Sequence, residues 1–206
     1  MTRKLRKEMT RQAILKAAGL CFAGSGFRET QVADIAERAG VAAGTLYIHF
    51  ASKEALLDEL LAAYNNGLVE RLRAAWEGRG LPVDLPAVVR ESAEICLEYW
   101  SQGRGLLLAF AQRAVAEDAI AGLRDGINPP VVSFLTDRIA AMAGGDGANA
   151  VKIRLAVHGL LGLWTRIGMQ HVFGAAESKA DAVDLLVRMT LGAAAAVLPA
   201  LGFSGR

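Results

Sequence analysis

The sequence predicts an all-α protein, and three observations carry the prediction. β-Branched residues are scattered and never alternate for long. Ala, Leu, Arg and Glu fill the stretches between breaks, and Gly or Pro punctuates the chain at helix-length intervals. With 206 residues and an apolar fraction of 53%, the chain can bury a sizeable core and is not expected to be disordered.

A first helix is expected from about Lys7 to Ala23, because Ile14, Ala17, Ala18, Cys21 and Phe22 recur on one face. Gly24 and Gly26 should end it. Thr30 can cap a second short helix from about Gln31 to Ala39, with Val32, Ile35 and Ala36 inward. Gly40 supplies the following turn, since glycine tolerates a left-handed conformation. The segment GVAAGTLYIHFASKE, from Gly40 to Glu54, then carries a third helix of about seven residues. Ser52 caps a fourth, which starts at Lys53 and runs towards Trp76. Beyond the breakers Gly78, Gly80 and Pro82, helices fit at about 84–102, 104–124, 129–143, 149–173 and 179–201, about nine in all. Ser178 with Asp181 resembles a capping box at the start of the last one.

Several classes are excluded. Cys21 and Cys96 sit in apolar helical contexts and read as small buried hydrophobes. No CxxC motif, Cys/His cluster or i,i+4 histidine pair offers a metal site, and no cofactor is implied. A helical enzyme would need a Cys–His pair, paired Glu-x-x-His motifs or a phosphate loop after a strand, and none is visible. Apolar runs such as Leu191–Phe203 fall short of the roughly 18 residues of a spanning helix. Lys16 and Gly19 interrupt the early apolar stretch, so no secretion signal is read. The expectation is a soluble, cytoplasmic protein with no membrane partner.

Charge is unevenly placed. Residues 1–54 hold nine Lys/Arg against five Asp/Glu, whereas residues 55–206 hold fourteen against sixteen. A basic head on a mildly acidic body should meet something anionic. Two short helices joined by a glycine turn form a helix-turn-helix, whose second helix enters the major groove of duplex DNA. At about 100° per residue, Leu46 and Phe50 fall on one side of the third helix with Ala42 and Ala43, and should pack inward. Gly44, Thr45 and Ile48 face the other way, with Tyr47 and His49 on the flanks. The expected organisation is an arm and helix-turn-helix domain over residues 1–52, then a helical domain over residues 53–206.

The segment AILKAAGLCFAGSGFRETQVADIAERAGVAAGTLYIHFASKEALL strongly resembles the N-terminal domain of the TetR family of transcriptional regulators. The resemblance covers about residues 11–60. It includes Asp34-Ile35-Ala36 and the G-T-L-Y-x-x-F-x-S-K-E run from Gly44 to Glu54. The resemblance implies a ligand-responsive regulator, most often a repressor, that binds operator DNA as a homodimer and is released by a small-molecule effector. It implies DNA contacts from Gly44, Thr45, Tyr47, His49 and Lys53. Tyr47 and His49 can donate to phosphates, and Lys53 would meet the backbone at the N-terminus of the fourth helix, which also favours anions. Gln31 is a further phosphate candidate, and Ile48 can offer a base only apolar contact. Ala42 stands where the family often has Ser or Thr, and Ala43 adds no polar group. Base-edge hydrogen bonding is therefore thin, so DNA shape or the arm MTRKLRKEMTR should supply part of the specificity. That arm is alternatively a solvated terminus.

The last two helices suit a homodimer interface. One carries Leu160, Leu161, Leu163, Trp164 and Ile167 with Gly159 and Gly162 between; the other is apolar nearly all round from Leu191 onward. An arginine at Gly162 or Ala194 should then break the dimer. In the family the intervening helices enclose an effector pocket. Tyr64, Trp76, Tyr99, Trp100, Phe110, Met142 and Trp164 are the large side chains available. Tyr64, Trp100, Phe110, Arg113 and Trp164 are the candidate ligand contacts, and Arg104 and Gln112 lie near Arg113. The effector should be apolar or aromatic. The alternative is a helical small-molecule-binding protein without DNA-binding activity.

Overall fold

The structure is a computed structural model that describes residues 2–77, 84–117, 129–142, 150–174 and 178–197, apart from the side chains of 114–117, 142, 196 and 197. Among the described residues every regular element is helical: α1 (Arg3–Glu29), α2 (Val32–Ala39), α3 (Ala43–His49), α4 (Lys53–Trp76), α5 (Leu85–Gln102), α6 (Arg104–Glu117), α7 (Pro129–Met142), α8 (Ala150–Phe173) and α9 (Lys179–Val197). The breakers at 78–82, the expected helical tails at 118–124 and 198–201, the loop glycines at 144–147 and the Met142 side chain lie outside the described residues.

The chain forms two compact units. One comprises Met1–Tyr64 and Gly103–Gly122, the other Asn65–Gln102 and Leu123–Arg206. This division does not fall at the sequence-based boundary between residues 52 and 53. The first turns of α4 and the whole of α6 pack with α1–α3, because Leu56, Leu57 and Ala109 complete a core begun by Ile14, Ala18, Phe22, Ile35, Leu46 and Phe50.

Helix α1 starts four residues earlier than apolar periodicity suggests. Thr2 caps it by accepting the Leu5 N–H at 3.3 Å, and Glu8 accepts from the Gln12 side chain at 2.8 Å one turn on. Lys and Arg are good helix formers, so the basic arm continues the helix. The end of α1 also differs. Gly24 is helical, and the break falls at Gly26, where φ is +80°. Thr30 does not cap α2. It is buried, and its hydroxyl donates to the Gly26 carbonyl at 2.6 Å. The first turn of α2 is closed instead by Asp34, whose carboxylate accepts the Gln31 N–H at 3.0 Å. Gly40 has φ +69°. Its N–H reaches Glu37 O and the Val41 N–H reaches Ala36 O, both at 3.0 Å, a Schellman stop that sets the angle into α3.

In the second unit, α5 packs on α8 and α9, and α8 also packs on α7 and α9. Val88, Val89, Ala93 and Leu97 form the buried stripe of α5. Val132, Ile153 and Val157 join α7 to α8. Capping is local and matches the residue types: Asp84 accepts the Ala87 N–H at 3.1 Å, and Ser178 accepts the Asp181 N–H at 3.1 Å. No described helix is long and apolar enough to cross a membrane.

Candidate nucleic-acid interface and apolar cavity

Helix α3 is held by two side chains, Leu46 at 0% and Phe50 at 3% exposure. Everything else on it turns outward to some degree. Ile48 is 73% and Tyr47 56% exposed, Gly44 is exposed with open space where a β-carbon would project, and Thr45 is half-buried. Ala42 and Ala43 are also exposed, which corrects the expectation that they pack inward. Seven residues cannot turn two further positions inward when Leu46 and Phe50 already fill the contact with α1 and α2. His49 is half-buried and its Nδ1 is enclosed without a hydrogen-bond partner, so a polar contact by this ring falls to Nε2. Gln31 is exposed at the N-cap of α2. An outward row of tyrosine and isoleucine beside a glycine has no packing reason to be there.

Lys53 is placed differently from the rest of the expected contact set. Its ammonium donates to Phe27 O at 2.8 Å and Thr30 O at 3.0 Å, with Arg28 O at 3.5 Å, and lies 4.5 Å from the centroid of the Phe27 ring. These carbonyls are the ones left unpaired where α1 stops, so the charge also meets the negative end of a helix. The N-terminus of α4 has an occupant as well. Glu54's own backbone N–H, followed by the Ser52 hydroxyl, holds its carboxyl below the ordinary value.

The turn between α1 and α2 is gripped from a second side. The Phe27 N–H, freed by the non-helical backbone at Gly26, donates to Gln112 Oε1 of α6 at 2.8 Å. Arg113, one residue on, pairs with Asp58 and reaches Glu54 O at 3.4 Å. Arg11 of α1 makes a two-pronged ion pair with Glu59 and stacks 4.6 Å over the Phe50 ring. Within the arm, then, Arg11 is engaged internally, while Arg3, Lys4, Arg6 and Lys7 stand exposed.

In the second unit a cavity of about 140 Å³ lies among Leu72, Trp76, Val89, Cys96, Val157 and Trp164, with Leu85, Ser92, Val131, Leu135, Ile139, Leu160, Leu161, Thr190 and Ala194 completing its wall. Of the five candidate ligand contacts, Trp164 lines it. Trp100 lies in the same unit but packs against Gly168, where a β-carbon would strike its ring. Tyr64, Phe110 and Arg113 belong to the first unit. Sequence reasoning passed over Ser92 and Thr190, small polar residues on otherwise apolar faces; that pattern was the available signal. Ala194 also lines the cavity, so an arginine there would test the cavity rather than a dimer contact. Cys96 is buried, and the apolar surroundings push its thiol up to about 12. No cluster of three metal-ligating side chains occurs among the described residues.

Residues 14–60 match the family model for bacterial regulatory proteins of the tetR family. The HTH-type transcriptional repressor KstR2 of Mycobacterium tuberculosis (strain CDC 1551 / Oshkosh) is 42% identical over 74 residues, 36% of this chain and 37% of the repressor. The HTH-type transcriptional regulator UidR of Escherichia coli (strain K12) is 32% identical over 130 residues, 63% of this chain and 58% of the regulator. The aligned stretch thus spans just over a third of the first relative's length and under two thirds of the second's. The fatty acid degradation regulator FadR from Bacillus halodurans shares the fold with a TM-score of 0.66 at 21% identity, over 89% of this chain and 95% of that one. A TetR-like transcriptional regulator from Rhodococcus sp. RHA1 gives 0.59 at 21%, over 90% and 96%. The family model falls on the helices whose packing leaves α3 outward, so residues 14–60 form a segment of the tetR-family type.

Proposed function

We propose that this protein is a transcriptional regulator that binds duplex operator DNA as a homodimer, acts as a repressor, and responds to a small molecule held in the cavity of the second unit. The observation that carries the reading is the outward face of α3, where Tyr47 and Ile48 stand more than half exposed over a fully buried Leu46. Gly44, Thr45, Ile48 and His49 would enter the major groove, with Tyr47 and Gln31 at phosphates. Lys53 would act at one remove, by holding the α1–α2 turn that orients α3. Similarity to the transcriptional regulators KstR2 and UidR supports regulation, and KstR2, a transcriptional repressor, supports repression.

The dimer reading is supported by the outer faces of α8 and α9. Val151 (80% exposed) and Leu155 (72%) continue through the open positions Gly159 and Gly162, and Leu185 and Met189 continue to Gly192. Apolar residues at such spacing form one stripe on each helix, and a second copy would cover both. The effector reading is supported by the cavity itself. Leu72 and Trp76 in its wall belong to the helix that begins at Lys53.

Selection from random duplex DNA tests the reading. A recovered motif with two-fold symmetry is expected. Tyr47→Ala should weaken binding to all sequences, while Thr45→Ala should change preference at one or two positions. Recovery of no enriched sequence by a folded dimer would instead favour a helical ligand-binding protein without DNA-binding activity.

A further inference from the structure

Helix α1 runs for two turns beyond the core of the first unit. Residues 2–9 are all exposed and Thr10 is half-buried, so packing does little to hold this segment in shape. It is helical for local reasons. Thr2 caps the first turn, the Thr10 hydroxyl donates to Arg6 O at 3.0 Å, and the Gln12 side chain donates to Glu8 at 2.8 Å. Lengthening a helix that already exists also avoids the cost of nucleating one.

The rotation of this extension is fixed by the core. At about 100° per residue, Arg3, Lys4 and Lys7 fall within about 60° of the middle of the buried stripe Ile14, Leu15, Ala17, Ala18 and Phe22. Arg6 lies about 120° round from it, and Leu5 and Met9, both more than half exposed, lie on the opposite side. Arg11 shows where the stripe points: it pairs with Glu59 and stacks 4.6 Å from the ring centroid of Phe50, the C-cap of α3. Roughly 6 to 12 Å further along the axis, the same face carries lysine and arginine where apolar residues would otherwise continue. Among the described residues no carboxylate pairs with Arg3, Lys4 or Lys7. The core stripe thus turns cationic where the core stops, on the side where α3 ends.

Width decides how such an arm can meet DNA. A helix with its side chains is about 10–12 Å across, and the minor groove is about 6 Å wide. The folded arm cannot enter that groove to read bases, as specificity borne by the arm would require. Phosphates remain, and they carry no base identity. The positive end of the α1 dipole lies at the same tip and adds to the attraction. We infer that Arg3, Lys4 and Lys7 form a prefolded helical phosphate contact beside the groove occupied by α3, one that supplies affinity and no base preference. The inference rests on the DNA-binding reading above and adds three residues to it.

The test follows full-length variants by fluorescence anisotropy across a KCl series on two labelled duplexes, one carrying the selected motif and one scrambled. With Arg3→Gln, Lys4→Gln and Lys7→Gln combined, the log–log salt slope should fall by about 0.9 per lost contact, or about 5 for a dimer. Affinity for both duplexes should drop by one factor, leaving their ratio within about threefold of the wild-type value. Arg6→Gln, off the face, should hold the slope within about 0.5. Met9→Pro keeps every cation but breaks the helix between arm and core, because proline removes an i→i−4 bond and clashes with the preceding turn. It should lose affinity as the triple variant does, while melts followed by circular dichroism stay near wild type. Slope and affinity unchanged in the triple variant would overturn the inference and leave a solvated terminus. A changed ratio between the duplexes would overturn it in favour of an arm that reads bases. Wild-type binding by Met9→Pro would refute the helical form, and an Arg6→Gln loss equal to a third of the triple loss would refute the assignment of the face. A wild type with no affinity for duplex DNA would overturn the DNA-binding reading itself, and the inference with it.

Discussion

Lys53→Met removes the ammonium from the end of α1 while keeping most of the aliphatic stem, and its consequence separates two roles for one residue. The charge makes two short hydrogen bonds, to Phe27 O and Thr30 O, and lies over the Phe27 ring. A hydrogen bond to a charged group contributes about 1.5 kcal/mol at the low end, and both bonds are only part-buried, so water recovers roughly half. A partly exposed cation–π contact adds about 0.5 kcal/mol. The expected loss is about 2 kcal/mol, confined to the first unit. Tryptophan emission is blind to it, because Trp76, Trp100 and Trp164 all belong to the second unit. Native-state amide exchange across Gln31–Gly40 is the suitable assay, and 2 kcal/mol corresponds to about a thirtyfold faster exchange. DNA affinity should fall with it, but the salt dependence should keep its slope. The reasoning is refuted if exchange is unchanged within about threefold while the log–log salt slope drops by about 0.9, since that is the mark of one lost phosphate contact.

Three other outcomes follow from the same packing. Gly26→Ala should destabilise the first unit by at least about 1 kcal/mol, because φ is +80° and the new β-carbon would lie 2.6 Å from the Gln112 carboxamide; in a Gln112→Ala background the clash goes but the backbone strain stays, so thermal melts by far-ultraviolet circular dichroism should show part of the loss remaining. Cys96 titrates from an ordinary 9.0 when unfolded to about 12 when buried, so the unfolded chain releases its proton first. The contribution of Cys96 should therefore be flat below pH 9 and fall between 9 and 12 by up to about 1.4 kcal/mol per unit, a loss absent from Cys96→Ala in denaturant titrations. Leu155→Glu or Leu185→Glu should yield monomers in sedimentation at micromolar concentration without loss of helicity, because both side chains are outward and neither supports the core; a wild-type monomer under those conditions would contradict the proposed dimer.

What the sequence by itself determined is what neighbouring residues decide among themselves. The helical class, the stripes Ile14–Ala17–Ala18–Phe22 and Ile35–Ala36, the left-handed stop at Gly40, and the caps at Ser52 and Ser178 all act over three or four residues, and a linear pattern displays them. So does the outward placing of Gly44 and Ile48, since Leu46 and Phe50 set the rotation of α3, although Thr45, expected to face the same way, is half-buried and Tyr47, expected on the flank, is exposed. Tertiary structure decided everything that depends on who arrives from a distance. Lys53 meets carbonyls 23 to 26 residues earlier in the chain, and Gln112 meets Phe27 from 85 residues away. A lysine looks the same in sequence whether its charge is in water, on a phosphate or at the end of another helix. The cavity wall was hidden for the same reason. Trp76 and Trp164 line it, Trp100 closes on Gly168, and Tyr64 and Phe110 belong to the other unit, although all five read alike as aromatics at helical spacing. Helix periodicity says which face of a helix is buried; only the packing of several helices says whether that face meets a neighbour or an empty space.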